Sequence, residues 1–104
     1  MAGFRVQEAA SRRLDDIYSY SRDTWGEEQA ERYLRDLFAC FGDIAARRIP
    51  WRAIPAEFGV DGYYTRRGRH YIYWKILEDD TVGIVTILHE RMHQIDRFRD
   101  DAPG

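Results

Sequence analysis

A chain of 104 residues is long enough for one hydrophobic core and too short for two ordinary domains, so we expect a single domain over residues 1–104. An apolar fraction of 44% beside 33% charged residues is typical of a folded protein and argues against intrinsic disorder. No apolar run approaches the roughly 20 residues that span a bilayer, and the N-terminus lacks a secretory signal pattern. We therefore expect a cytoplasmic protein without a membrane partner. The net charge of -2 argues against a protein that coats nucleic acid by bulk electrostatics.

The charges are unevenly distributed along the chain. Residues 11–36 carry a mild excess of acids, whereas residues 62–75 carry several basic side chains and no acid. All but one of the basic residues are arginines, whose planar fork suits carboxylate or phosphate groups. We therefore expect an anionic partner to meet the second half of the chain.

Two amphipathic helices are predicted after a short strand over residues 4–8. The first helix is predicted to begin with Ser11 as its N-cap and to end at Gly26. Its apolar face comprises Leu14, Ile17, Tyr18, Ser21 and Trp25. The second helix is predicted to close at Pro50. The three-four spacing of its apolar face joins Ala30, Tyr33, Leu34, Leu37, Phe38, Phe41, Ile44 and Ala45. The short connection predicts an antiparallel helix hairpin, and Cys40 within it is interpreted as a small buried hydrophobe rather than a nucleophile.

A three-stranded antiparallel meander is predicted in the second half. An irregular loop over residues 50–62, pinned by apolar side chains such as Trp51 and Phe58, leads into it. The strands are predicted at residues 62–67, 70–77 and 81–88, with turns at Gly68 and at residues 78–80. Alternation should place Ile72, Trp74 and Ile76 against the helices. Tyr71 and Tyr73 should then lie on an exposed or partner-facing side.

The predicted fold class is α+β, with a short N-terminal strand, an antiparallel helix hairpin packed on one face of the sheet, and the antiparallel meander. The polar tail over residues 94–104 follows the last strand. After a helical turn through Ile95 and Phe98 we expect this tail to fray and to be flexible.

The sharpest local pattern is His89–His93, which satisfies the His-Glu-x-x-His signature of zinc metallopeptidases. That chemistry needs both histidines on one face of a helix and a third ligand from further along the chain. Here a β-branched run precedes His89, so the motif is predicted to straddle the end of a strand. We expect no metal site, and we keep a zinc hydrolase only as the least favoured hypothesis.

A second pattern is a cluster of cationic side chains at strand ends. In an antiparallel sheet, His70 should lie near the end of the strand that finishes at Leu88. The cluster would then converge at one end of the sheet and comprise Arg66, Arg67, Arg69, His70, His89 and Arg91. A solvated hairpin is the alternative interpretation.

Two segments, Tyr71-Ile72-Tyr73 and Ile87-Leu88-His89-Glu90-Arg91-Met92, together with the order of the predicted elements, resemble the ParE branch of the RelE/ParE toxins of type II toxin–antitoxin systems. The resemblance extends from Phe4 to about Met92. In that family a strand commonly runs into a His-x-Arg-Met ending followed by Asp, so His93 stands at the Asp position. The zinc-like signature is then a coincidence of sequence.

The resemblance implies a toxin that inhibits DNA gyrase without chemistry or a cofactor of its own. It also leaves open a ribosome-dependent mRNA endonuclease of RelE type, for which the catalytic candidates would be His70, Arg69, Arg91 and His89. The acidic net charge and the missing lysine-rich patch favour the inhibitor over the enzyme. A former toxin retained as a binding partner is a further alternative. As target-binding residues we predict Arg66, Arg67, Arg69, Tyr71, Tyr73, His89 and Arg91.

The resemblance also implies a ParD-like antitoxin, a ribbon-helix-helix dimer whose flexible C-terminal segment wraps the toxin. Operator DNA would then meet this chain only indirectly, through the antitoxin. The predicted antitoxin-binding residues are Leu14, Tyr18, Tyr33, Leu37, Trp51 and Phe58.

Overall fold

The computed structural model describes residues 3–102. In this part of the chain the helices are α1 (Glu8–Trp25), α2 (Glu27–Ala45) and α3 (Gln94–Asp101). The strands are β1 (Phe4–Val6), β2 (Arg52–Ala53), β3 (Tyr63–Arg67), β4 (His70–Ile76) and β5 (Val82–His89), and a 3-10 turn spans Ala56–Phe58. The predicted α+β class is confirmed. Within residues 3–102 no helix is both long enough and apolar enough to cross a bilayer.

The sheet has the order β1-β5-β4-β3-β2. Strands β3, β4 and β5 form the predicted antiparallel meander. Strand β1, however, pairs with β5 in parallel, so the sheet is mixed. After the helix hairpin and the meander, β5 lies beside β1 and runs in the same direction. The alternation of apolar and polar residues within a strand does not show which strand will be its neighbour.

The helix boundaries differ from the prediction at two points. Helix α1 begins at Glu8 rather than after Ser11, because the Gln7 N–H is bonded to the Ile84 carbonyl at 3.0 Å and β1 passes directly into the helix. Gly26 ends α1 as predicted, at a φ of 98°. Helix α2 ends at Ala45, before Pro50, because Arg47 adopts a left-handed φ of 62° and the backbone bonds of a Schellman motif close the helix.

The main core lies between the helix hairpin and one face of the sheet. Leu37, Phe41 and Ile44 of α2 pack here with Ile72 and Trp74 of β4, all fully buried. The predicted positions of Ile72 and Trp74 are confirmed, as is the burial of Cys40. Ile76 and Trp25 are exceptions, since each is about half exposed near the end of its element.

A β-bulge at Val85 adjusts the register of β5. Tyr73 pairs with Thr86, but Trp74 pairs with Ile84. The extra residue lets both Ile84 and Ile87 face the helix hairpin, while Val85 joins the cluster on the opposite face.

The opposite face of the sheet is partly covered by α3 and the 3-10 turn. Phe98 of α3 is 3% exposed, with its ring centroid 5.1 Å from that of Tyr73 and 5.8 Å from that of Phe58. Asp101 holds the end of α3 by accepting from Arg13 at 2.8 Å and from Thr86 at 2.7 Å. The prediction that the helix hairpin packs on one face of the sheet is confirmed. The prediction of a fraying tail is wrong for residues 94–101, because apolar and ionic contacts dock α3 on the opposite face.

Candidate functional site

The predicted basic side chains gather at the end of the sheet where β3 turns into β4 and β5 ends. The register pairs Arg67 with His70, and His70 with His89. The predicted proximity of His70 to the end of β5 is confirmed. Because paired side chains share a face, these three lie on the side of α2. Arg66 pairs with Tyr71 and lies on the opposite side, with α3.

On the α2 side, Arg67 is neutralised by acids of the helix. Its guanidinium lies 3.3 Å from Asp36 and 3.8 Å from Asp43. The Cys40 thiol lies beside the same guanidinium, and burial raises the pKa of this thiol. Arg67 therefore attaches the β3–β4 hairpin to α2, and its charge is largely compensated by these two acids.

His70 is buried on the same side, with 9% of its surface exposed. Its Nδ1 lies 2.6 Å from the hydroxyl of Tyr33 on α2. Burial, reinforced by the nearby His89, lowers the pKa of His70 to about 4. His70 is thus neutral at pH 7, too weak a base and too enclosed for efficient acid–base catalysis.

His89 is half-buried, with its ring edge-on to that of His70 at 5.2 Å. Its Nδ1 accepts the Arg91 N–H at 3.1 Å, which places the proton of the neutral ring on Nε2. The His89 ring thus holds the backbone of the turn after β5, and His89 is the more accessible of the two histidines.

On the α3 side, Arg66 and Tyr71 form a half-open polar and aromatic surface. The Arg66 guanidinium lies 5.8 Å from the centre of the Tyr71 ring and donates to both carboxylate oxygens of Glu90, at 3.0 and 3.1 Å. Tyr64 packs beside Tyr71 at 6.3 Å. This surface combines an arginine, an acid and two tyrosine rings.

Tyr73 does not belong to that open surface. It is 3% exposed, and its hydroxyl donates to Gln94 of α3 at 2.8 Å. Burial raises its pKa. The expectation of an exposed tyrosine side, and with it of Tyr73 as a target contact, is wrong in this conformation because Phe58 and Phe98 cover the ring.

Arg69 and Arg91 are the uncompensated cations of this sheet end. Both are exposed, and no carboxylate among residues 3–102 lies within 4 Å of either guanidinium. Arg69 follows Gly68, whose φ of 59° makes the tight turn into β4, and Arg91 lies in the turn between β5 and α3. Their charges are the ones available to an anionic partner.

The zinc-like motif divides between two elements, as predicted. His89 is the last residue of β5, and His93 is the N-cap of α3, where its Nδ1 accepts the Asp96 N–H at 3.4 Å. Within the described chain no group of three or more His, Cys, Asp or Glu side chains is arranged to hold a metal ion.

The sequence profile of the ParE toxin of type II toxin–antitoxin systems, parDE, matches residues 4–94. This chain belongs to the ParE toxin family. Toxin ParE1 of Caulobacter vibrioides is 35% identical to it over 96 residues, which cover 89% of this chain and 94% of the relative.

Solved structures of toxin–antitoxin systems share the fold. The chromosomal ParDE system from P. aeruginosa contains a chain with a TM-score of 0.65 and 19% identity, covering 86% of this chain and 96% of its own length. The RelBE2 toxin–antitoxin complex from Mycobacterium tuberculosis contains one with a TM-score of 0.62 and 19% identity, covering 85% and 96%. At these identities the likeness concerns the fold alone.

The antitoxin-binding residues predicted for this ParE chain fall into two groups. Leu14, Leu37 and Phe58 are buried in the chain's own clusters and offer no surface to an antitoxin, so these three assignments need correction. They carry the apolar periodicity of core faces, which does not distinguish a core from a docking face. The other three, Tyr18, Tyr33 and Trp51, are half-buried and remain predictions.

Two parts of this ParE site were missed by reasoning from the sequence. Glu90 was considered only as part of a metal motif, whereas it pairs with Arg66 and donates its N–H to the Arg69 carbonyl at 2.9 Å. Tyr33 is predicted only as an antitoxin contact, and the structure adds that its hydroxyl lies within hydrogen-bond distance of His70 Nδ1 and the Arg69 N–H. The sequence contains both the Gly68 turn and the helical Tyr33, but only the tertiary structure shows that they are in contact.

Proposed function

We propose that this ParE-family toxin inhibits DNA gyrase through the sheet end that carries Arg69 and Arg91. The observation that carries the proposal is the contrast in charge compensation at this end. Arg66 and Arg67 are paired with acids, whereas Arg69 and Arg91 are exposed without a carboxylate partner among residues 3–102. A surface with two free guanidinium groups suits binding to anionic groups of a large target.

The same geometry gives little support to RNA cleavage as the alternative. Of the candidates, His70 is buried and neutral, with Nδ1 occupied by Tyr33. His89 uses its own Nδ1 to accept a backbone N–H. A nuclease would need a group free to take the proton of the ribose hydroxyl. Inhibition by binding needs no general base. The activity we propose is therefore not enzymatic and uses no cofactor.

Neutralisation by an antitoxin is part of the same proposal. The matching family is that of type II toxin–antitoxin systems, and the structures similar in fold come from toxin–antitoxin complexes. We propose a ParD-like ribbon-helix-helix partner that contacts the half-buried Tyr18 and Trp51, and that carries any contact to operator DNA. A gyrase inhibitor would act in the cytoplasm.

Supercoiling by purified gyrase is the direct test. We expect the wild-type chain to inhibit the reaction, and R69A and R91A each to require about tenfold more protein, as for loss of a hydrogen-bonded charge in an interface. The matched control is R97A, which removes an exposed arginine of α3 that has no carboxylate within 4 Å in the described chain.

The competing activity is measured in the same cells. Induction of the chain without its antitoxin should arrest supercoiling while mRNA stays intact. Degraded mRNA with normal supercoiling would replace this proposal by the nuclease, and equal inhibition by wild type and R69A/R91A would remove the sheet end from the mechanism.

A further inference from the structure

We infer that Tyr33 is a positioning residue for target recognition, because its hydroxyl fixes the backbone of Arg69. The inference rests on the proposed function in assigning Arg69 to the target surface. It goes beyond that function by assigning a role to a residue of α2 that does not itself present a charge.

The Tyr33 hydroxyl has two partners in the β3–β4 turn. The Arg69 N–H donates to the hydroxyl oxygen at 3.4 Å, and the hydroxyl lies 2.6 Å from His70 Nδ1. We assign the hydroxyl as the donor to Nδ1, the arrangement in which its one hydrogen and one oxygen lone pair serve both contacts. In this assignment His70 is neutral with its proton on Nε2, in agreement with its burial.

The β3–β4 turn also packs against the Tyr33 ring of α2 and is hydrogen-bonded to Glu90, just after β5. A Cβ at Gly68 would lie 2.9 Å from the Tyr33 hydroxyl oxygen, so the glycine lets the turn approach the tyrosine ring closely. The Arg69 carbonyl accepts the Glu90 N–H at 2.9 Å. The peptide groups on both sides of the Arg69 Cα are therefore fixed, while the guanidinium stays free.

Attachment of the β3–β4 hairpin to α2 does not depend on the Tyr33 hydroxyl. Arg67 already joins this β-hairpin to Asp36 and Asp43 of α2. Loss of the hydroxyl should therefore leave the fold intact and change chiefly the orientation of Arg69. A side chain whose backbone is fixed beforehand binds with a smaller loss of conformational entropy.

Gyrase inhibition by Y33F measures the consequence for recognition. We expect Y33F to require about fivefold more protein for half-inhibition than wild type, the factor that corresponds to one ordinary hydrogen bond. The matched control is Y63F. Tyr63 is also half-buried, and its hydroxyl makes no hydrogen bond to any group among residues 3–102. Y63F should stay within about twofold of wild type.

A double-mutant cycle separates positioning from a general structural effect. If Tyr33 acts through Arg69, Y33F should cause no further loss in an R69A background. An additive loss, or a Y33F chain as active as wild type, would overturn the inference.

Nuclear magnetic resonance tests the contact without any target. In wild type we expect the Nε2–H tautomer of His70 and slow exchange of the Arg69 amide, and in Y33F at least about tenfold faster exchange of that amide. H70N keeps an acceptor near the Nδ1 position and should retain slow exchange, whereas H70L should not. Unchanged exchange in Y33F would overturn the inference. A wild-type chain that fails to inhibit gyrase would overturn the proposed function instead, because these amide measurements do not involve gyrase.

Discussion

Arg66 and Arg67 are adjacent in the chain, yet they lie in opposite environments on the two faces of the sheet. Arg67 faces α2, where Asp36 and Asp43 lie near its guanidinium and His70 is buried beside it. Arg66 faces the α3 side, over Tyr71 and against Glu90, with its side chain 54% exposed compared with 33% for Arg67.

The difference shows how one strand serves both the fold and a binding surface. The α2 side satisfies its charges internally and so fixes the hairpin. The α3 side leaves Arg66 and Tyr71 partly exposed, and Arg91, in the turn between β5 and α3, has no carboxylate within 4 Å among residues 3–102. Contacts on the α2 face hold the strand in place, while Arg66 on the α3 face remains accessible. Substitutions can therefore change one face without the other.

The largest effect is expected from detaching α3, which together with the 3-10 turn covers Tyr73. F98A removes a nearly buried ring from the cluster with Phe58 and Tyr73, and we expect a loss of about 3–5 kcal/mol in the free energy of unfolding. Denaturant titration measures the change, and Tyr73 should become accessible. The control F38A removes a ring that is 43% exposed and should cost well under half as much. Equal losses would mean that α3 is not docked as described.

The next effect concerns His70 and depends on pH. In the unfolded chain His70 has an ordinary pKa of about 6.5, whereas burial lowers the folded-state pKa to about 4. Between these values the unfolded state binds the extra proton, so this contribution to stability is present above pH 6.5 and is lost as the pH falls toward 4. We expect a loss on the order of 3 kcal/mol from this group.

Comparison with H70N isolates the contribution of His70, because the two proteins share every other titratable residue. The stability advantage of wild type over H70N should shrink as the pH is lowered from 7 to 4 in parallel denaturation series. A constant difference would show that His70 is not held neutral on the α2 side.

A smaller effect is expected at the ion pair that joins α1 to α3. D101A leaves Arg13 and Thr86 without their partner at a site where the carboxylate is 9% exposed, and should cost about 2 kcal/mol. Asp79 forms a similar pair with Arg5, but that pair lies at the surface. D79A should therefore leave the denaturation midpoint nearly unchanged. Equal losses would show that burial does not distinguish the two pairs.

Local patterns predicted the elements better than their surroundings. The three-four spacing predicted helix α2 and its apolar face, and strand alternation placed Ile72 and Trp74 against the helices. The spacing did not show that Leu37 lies in the core rather than on an antitoxin-binding surface. The same patterns do not encode which strand lies beside which, so the parallel β1 was missed. They also gave no sign that Phe98, in a polar tail, would bury Tyr73. At the site, the convergence of His70 and His89 followed from strand order, whereas charge compensation of Arg67 by α2 required the tertiary structure.

The smallest effect tests the point where the two faces meet, at the Gly68 turn. G68A places a Cβ at a φ of 59° and 2.9 Å from the Tyr33 hydroxyl oxygen, and should destabilise the chain by about 1–2 kcal/mol. Gly42 in α2 is the matched control, since a Cβ there meets nothing within 4 Å. G42A should stabilise the chain by about 0.5–1 kcal/mol through helix propensity. If thermal unfolding shows the same sign for both variants, close packing of the turn against Tyr33 is not what requires glycine, and the α2 side is less rigid than its contacts imply.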